Sequence, residues 1–393
     1  MHRRILSNVT SYINAGVMGA AMAAELARNG CSVTVVDAGA PASGTSGATF
    51  SWTDSNGKTP RSYHDLNVEG LRAHRRLAQD VASCDWYHEH DNLEWKADPA
   101  ERQDQQRKID RLTDRGYPVR WLEPSQLREL EPDLATDMID GPVAYYPEEG
   151  WGDPVPLVRA LLASARSAGA EVRTHSTVVE MSMTGDRVTG VTTADGETVR
   201  TDAVVDCAGP RAAEVAALAG VELPMRNSVG LLAYTAPTAV TVGRVIHSPG
   251  VNLRPDGAGR LLLHDPSLDD AVSRREDGSW DVEPGVAETL LRRTEELYPG
   301  IRGTKIEATR VGVRPMPIDG LPVLGRCATV DGLYFAITDS GVTLCLRVAE
   351  LVGAAIRGER VDELEPFRHG RPDSSSQADR PQQAATATPQ GAS

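Results

Sequence analysis

Residues 9–37 read VTSYINAGVMGAAMAAELARNGCSVTVVD. Val9, Tyr12 and Ile13 favour a short strand over 9–13. The Ala- and Met-rich run Gly16 to Asn29 follows as a helix, with Gly30 at a C-cap position. Ser32 to Val36 is a second strand, and Asp37 stands at its end. Strand, helix and strand in so short a span form the opening unit of a nucleotide-binding α/β fold. Between the first strand and the helix lies Asn14-Ala15-Gly16-Val17-Met18-Gly19. Such a segment needs a tight turn, a close backbone approach to phosphate, and a helix N-terminus aimed at negative charge. Gly16 and Gly19 serve the second and third needs. Asn14 takes the place of a first glycine, and Asn tolerates positive φ better than most residues. Asp37, 18 residues past Gly19, is placed to accept hydrogen bonds from an adenosine ribose.

Working outward, residues 40–60 are rich in Gly, Ser and Thr and read as a loop, before helical patterning at 64–82. Residues 86–144 are charged and show no clear period. Pro156 to Ala168 is a helix with Leu157, Leu161, Leu162 and Ala165 on one face. Strand-like runs follow at 171–174, 178–181, 188–193 and 203–206. The span 226–310 is β-rich and includes a hairpin turning at Pro255-Asp256-Gly257. Helices are expected at 287–298 and 342–356. From about 369 the chain is Ser, Gln, Ala, Pro and charge, a tail with too little apolar surface to fold.

Composition sets limits. A chain of 393 residues exceeds one ordinary core, so two domains are expected. The formal net charge of −14 argues against a nucleic-acid partner. No apolar run reaches the length of a membrane span, and polar residues interrupt any signal-like segment near the N-terminus. Five cysteines without a Cys-x-x-Cys pair suit reduced thiols in the cytoplasm, and no Cys/His spacing suggests a metal.

Four separated segments together resemble the D-amino acid oxidase-like family of FAD-dependent oxidoreductases, which includes glycine oxidase, sarcosine oxidase and D-amino acid dehydrogenase. They are the N-terminal unit with Asp37, the loop Ala42-Ser43-Gly44-Thr45-Ser46, the run Val204 to Pro210, and Gly312-Val313-Arg314-Pro315 continued by Asp319 to Gly325 and Gly341 to Leu344. The resemblance implies an α/β fold: a Rossmann-like FAD-binding domain, discontinuous over 1–85, 145–225 and 310–368, with a β-sheet-rich substrate domain over 86–144 and 226–309. It places Thr45 and Ser46 on FAD phosphate and ribose, Val178 at adenine, Ala208 and Gly209 against the cofactor, and Gly341, Val342 and Thr343 at the flavin pyrimidine. The N–H groups opening that last helix would stabilise charge on the reduced ring. Asp339 stands where family members often carry His.

The same resemblance implies oxidation of an amine or amino acid to an imine, by hydride transfer to flavin. The electron acceptor is oxygen or a respiratory carrier. Arg314 resembles the family's carboxylate-binding arginine, and Lys58 falls in a loop near the flavin where a cation promotes reaction with oxygen. Arg254 is a lesser candidate for the carboxylate; His64, His247 and His264 are candidate bases that also suit structural roles. No cysteine stands near 312–316, where some relatives attach flavin, so non-covalent FAD is expected. Two other readings keep part of this picture: a flavin monooxygenase or C–O oxidase, and a degenerate FAD-free scaffold or binding protein.

Overall fold

The computed structural model describes residues 9–81 and 84–372, the side chains of 9–13 excepted. Six strands form the first sheet, in the order 323–326, 333–337, 203–206, 9–13, 32–36, 171–173. All neighbours are parallel except the antiparallel pair Val323–Arg326 and Leu333–Ile337. The first strand lies between Ala203–Asp206 and Ser32–Val36, so the phosphate-loop turn leaves the middle of the sheet.

Helix Val17–Arg28 buries ten of its twelve residues. Its alanines let helices Pro154–Ser167 and Gly341–Ile356 pack closely on it, and the three share one core with the sheet. Gly30 ends the helix at φ 79°, its N–H donating to Ala27 O at 3.0 Å.

The second large sheet has eight strands, in the order 306–314, 228–235, 261–264, 251–255, 245–248, 92–94, 143–146, 120–122. One face packs on helix Val286–Leu297 through Ala233, Leu253, Leu263 and Leu290. Because side chains alternate along a strand, the opposite face carries Arg314, Gly230, His264, Arg254 and His247, turned toward the 45–58 loop of the first unit.

Some expectations are corrected. The strand Ile306–Arg314 pairs with Ser228–Thr235, so Arg314 belongs to the eight-stranded sheet rather than to the nucleotide unit. Helix Pro99–Asp114 lies in the stretch without a clear period because it buries only Gln105, Ile109 and Leu112. The first residues expected in the tail are docked: His369 Nδ1 is 3.7 Å from Cys327 Sγ, and Arg371 forks onto Asp319 at 2.8 Å. The rest of that segment, 373–393, lies outside the described residues. No described helix is long and apolar enough to cross a membrane.

Candidate active site

A cleft of about 730 Å3 opens at the C-terminal ends of the parallel strands, where open α/β sheets bind their ligands. Its floor is Asn14 with Gly16 to Met18; one wall is the 43–49 loop, another is Cys207 to Arg211, and the far end is Ala336 to Val342. Strand 306–314 closes it through Val311 and Val313.

Asn14 adopts φ 102°, the left-handed conformation that its place in the turn demands. Its Oδ1 accepts from Gly16 N–H at 2.6 Å. A Cβ on Gly19 would lie 1.9 Å from the Asn14 carbonyl oxygen, so only glycine lets the helix sit on the turn. Ser46 Oγ accepts from Val17 N–H at 3.0 Å, and Thr45 donates to Val313 O at 2.6 Å, tying the loop to the second sheet. Gly312 repeats that closeness, since its Cβ would meet Ala48 O at 2.0 Å.

Eight of the expected cofactor residues converge on this cleft: Asn14, Gly16, Thr45, Ser46, Ala208, Gly209, Gly341 and Val342. Four stand behind it. Gly19 packs under the turn. Asp37 is buried, accepting from Ala15 N–H and, at 2.6 Å, from Gly39 N–H. Thr343 is buried in the last helix, and Val178 begins a strand of the separate meander 178–200. The helix Gly341–Ile356 has no side-chain cap, so its first N–H groups face the cleft. This set fits a dinucleotide: two helix N-termini, a positive-φ turn and two glycine approaches surround one elongated space.

The expected catalytic residues lie differently. Arg314 is heavily engaged. NH1 donates to Ser228 Oγ at 3.3 Å and Val229 O at 3.0 Å; NH2 donates to His264 Nε2 at 3.2 Å and Asp269 Oδ2 at 3.1 Å. His264 Nδ1 faces Leu231 O at 3.0 Å, which puts its proton there and leaves Nε2 as acceptor. Burial lowers the pKa of His264, Asp269 opposes the shift and Arg314 adds to it. Arg254, 3% exposed, donates to Phe50 O at 2.6 Å and faces Asp153 and Asp256 at 3.7 and 3.6 Å.

Lys58 does not line the cleft. It pairs with Asp54 at 3.8 Å and sits 5.7 Å from the Tyr63 ring. Burial pulls its ammonium down, but the charge of Asp54, with Tyr63 and Asp339 behind it, raises it on balance. Tyr63 OH donates to Asp339 Oδ1 at 2.7 Å, which links this cation to the cleft edge. His64 and His247 are both bonded within the protein, to Ser55 and Asn92.

Three features escaped the sequence reading. Glu149, fully buried, accepts from Tyr117 OH at 2.7 Å, Asn92 Nδ2 at 3.0 Å, and Trp52 Nε1 and Asn56 Nδ2 at 3.2 Å. Arg274 and Trp280, from the hairpin 272–282, line the cleft. Asp206, fully buried at the end of its strand, accepts from Ala208 N–H at 2.9 Å and has Oδ2 without a partner.

Burial raises the Asp206 carboxyl from 3.8 to about 8, the Ala208 N–H opposing. The folded state therefore holds a proton that the unfolded state releases, and stability is lost as pH rises from about 4 to about 8. Asp206→Asn keeps the shape and the accepted bond. Its urea midpoint is expected to match wild type near pH 4 and to exceed it progressively toward pH 8.5. The interval corresponds to roughly 5 kcal/mol at most. A constant difference between the two proteins across that range would contradict this assignment.

Asn14→Gly removes the side-chain acceptor from Gly16 N–H and the strain of a positive φ. Because the freed Gly16 N–H can turn to phosphate, FAD binding should be unchanged or tighter by up to about 1 kcal/mol, read by fluorescence titration of apoprotein. Weaker binding would mean that Asn14 itself contacts the cofactor.

The cleft and its two helix N-termini define a dinucleotide-binding protein with a second, sheet-built domain. A family described as DAO, FAD dependent oxidoreductase, matches residues 15–355. The chain belongs to this family and is an FAD-dependent oxidoreductase. It is 31% identical to glycine oxidase of Geobacillus kaustophilus (strain HTA426) over 259 residues, 64% of this chain and 66% of that protein. Against glycine oxidase of Bacillus licheniformis it is 23% identical over 377 residues, 92% of this chain and 97% of that one. The crystal structure of glycine oxidase from Geobacillus kaustophilus superimposes with a TM-score of 0.81 at 25% identity, covering 93% of this chain and 99% of that one.

Proposed function

We propose that this chain oxidises the C–N bond of a small amine or amino acid to an imine, which water then hydrolyses. The observation that carries the reading is the cleft onto which two helix N-termini open, in a chain with glycine oxidases among its relatives. FAD, when bound, supplies the two-electron acceptor.

The chain's own residues hold and polarise the site. Gly16 to Met18 would meet the pyrophosphate, with Asn14, Thr45 and Ser46 around it. Asp37 fixes the Ala15 and Gly39 amides beside the ribose position, Gly19 keeps the turn closed, and Ala208 and Gly209 flank the chain between ribose and flavin. The N-terminus of Gly341–Ile356, with Val342 and Thr343 in its first turn, would stabilise negative charge at the pyrimidine edge. Val178 would border adenine. Lys58, behind the cleft and linked through Tyr63 to Asp339 at its edge, is a fixed cation suited to promoting electron transfer to oxygen. Two domains serve these tasks: the six-stranded unit holds cofactor and the eight-stranded sheet presents substrate. Binding is non-covalent, because residues 312–316 offer no cysteine and the Cys207 thiol in the cleft is kept protonated by burial and by Asp206. Five free thiols suit a reducing cytoplasm.

Purified protein is expected to be yellow and to release intact FAD on acid precipitation. Anaerobic addition of amines and amino acids in turn should bleach the flavin with at least one of them. Bleaching by NAD(P)H alone would favour the monooxygenase reading. Colourless protein that FAD cannot reconstitute would sink the proposal. Re-oxidation by oxygen against a quinone dye then identifies the acceptor.

A further inference from the structure

After Asp265 the chain leaves the eight-stranded sheet. It makes a short 3-10 helix, Pro266–Ala271, then a hairpin, Val272–Arg274 against Trp280–Val282, whose strands pair only with each other. The neck is closed by Glu283 N–H to Ala271 O at 3.0 Å. Asp269 anchors it: one carboxylate oxygen accepts from Leu231 N–H at 2.9 Å, the other from Arg314 at 3.1 Å. Arg275 bridges Asp281 across the hairpin. The result is a stiff finger with Arg274 and Trp280 opposite each other, both on the cleft wall.

Charges at the cleft are otherwise spoken for. Arg211 pairs with Glu214 at 2.9 Å, and Asp339 receives the Tyr63 hydroxyl. Arg274 is exposed, and its side chain has neither a hydrogen bond nor an ion pair with any described residue; its guanidinium carbon lies 5.7 Å from the Trp280 ring centroid. In a chain with 55 acidic residues against 41 basic ones, this cation is left facing the cleft without an anion. Arg314 presents the opposite case. A bidentate carboxylate there would have to displace Asp269, which is 9% exposed and would lose the Arg314 guanidinium, its one Arg or Lys partner among the described residues. Arg274 accepts an anion with no such loss, and the indole face keeps its fork in one plane.

We infer that Arg274, steadied by Trp280, meets an anionic group on the substrate, so that the donor is an amine bearing a carboxylate. Arg314 is then a positioning residue, holding the finger through Asp269. The inference rests on the amine-oxidising reading above.

The test uses the FAD-loaded enzyme and Arg274→Gln, Arg274→Lys and Arg314→Gln. Acetate is titrated against the bound flavin spectrum, and kinetics are run on the best amino acid and its primary amide. In wild type, acetate should perturb the spectrum saturably. Arg274→Gln should weaken that binding by about tenfold or more, with Arg274→Lys recovering part. FAD content should be unchanged. KM for the acid should rise about as much, with kcat within about twofold and the amide unaffected. Arg314→Gln should affect acid and amide alike. The inference is overturned if acetate does not bind wild type, or if only Arg314→Gln abolishes its binding. It is also overturned if Arg274→Gln loses FAD, which would assign Arg274 to the cofactor phosphates. Acetate binding that depends on Arg274, with no amine able to reduce the flavin, would uphold anion recognition and refute the amine reading.

Discussion

Gly19→Ala is expected to yield protein without bound FAD. The added methyl would stand 1.9 Å from the Asn14 carbonyl oxygen and 3.6 Å from Cys207 Cβ. The nearest atom is backbone, so relief requires moving either the helix or the turn. Either movement spoils the amide array that faces phosphate, because that array is the turn and the first helical residues together. Overpacking of this kind costs about 3 kcal/mol, which is roughly a hundredfold in affinity if it falls on the bound state. The measurement is flavin per protein after purification, then reconstitution of apoprotein followed by fluorescence. Gly57→Ala is the control, since a Cβ there meets nothing within 4 Å. Stoichiometric FAD in Gly19→Ala, with affinity within about threefold of wild type, would refute the reading of this turn.

The second large effect is expected at Glu149, and on stability. Its carboxylate draws together Trp52 and Asn56 from the loop of the first unit, Asn92 from the eight-stranded sheet, and Tyr117 from the segment between. Burial, then the nearby charge of Asp54, pushes its carboxyl up, while the bonds from Tyr117 and Asn92 oppose. Glu149→Ala leaves three buried donors, on Asn56, Asn92 and Tyr117, and the half-buried Trp52 indole facing a cavity. Each unsatisfied group costs about 1–3 kcal/mol, so a loss of about 4 kcal/mol or more is expected even with some relaxation. Glu149→Gln keeps the volume and one acceptor but turns an NH2 group toward other donors, and should fall between. Urea unfolding followed by tryptophan fluorescence reports directly, because Trp52 is a partner. A loss under about 1 kcal/mol in Glu149→Ala would show that water or a rearranged neighbour replaces the carboxylate. Lys58 lies two residues past Asn56, so the same variant should also slow re-oxidation of reduced flavin by oxygen.

What the sequence determined by itself is what the backbone needs locally. The turn at Asn14, the Gly19 approach, the helix ended by Gly30 and the strand ended by Asp37 are each set by a few adjacent residues whose φ preferences and side-chain size leave few options. The pattern is readable because it repeats the same local geometry wherever a chain cradles phosphate. The order of the later segments carried the cofactor assignment for the same reason. Tertiary structure alone decided the charge pairing. Arg314 reads as a free carboxylate ligand until folding brings it His264 from another strand of the sheet and Asp269 from the 3-10 helix that follows that strand. Glu149 reads as one of many surface acids in a charged stretch until four donors from three segments surround it. Arg274 reads as one arginine among many until the hairpin sets it on the cleft without a partner. An ion pair's partner and its desolvation are properties of the assembled interior, and no local preference encodes them.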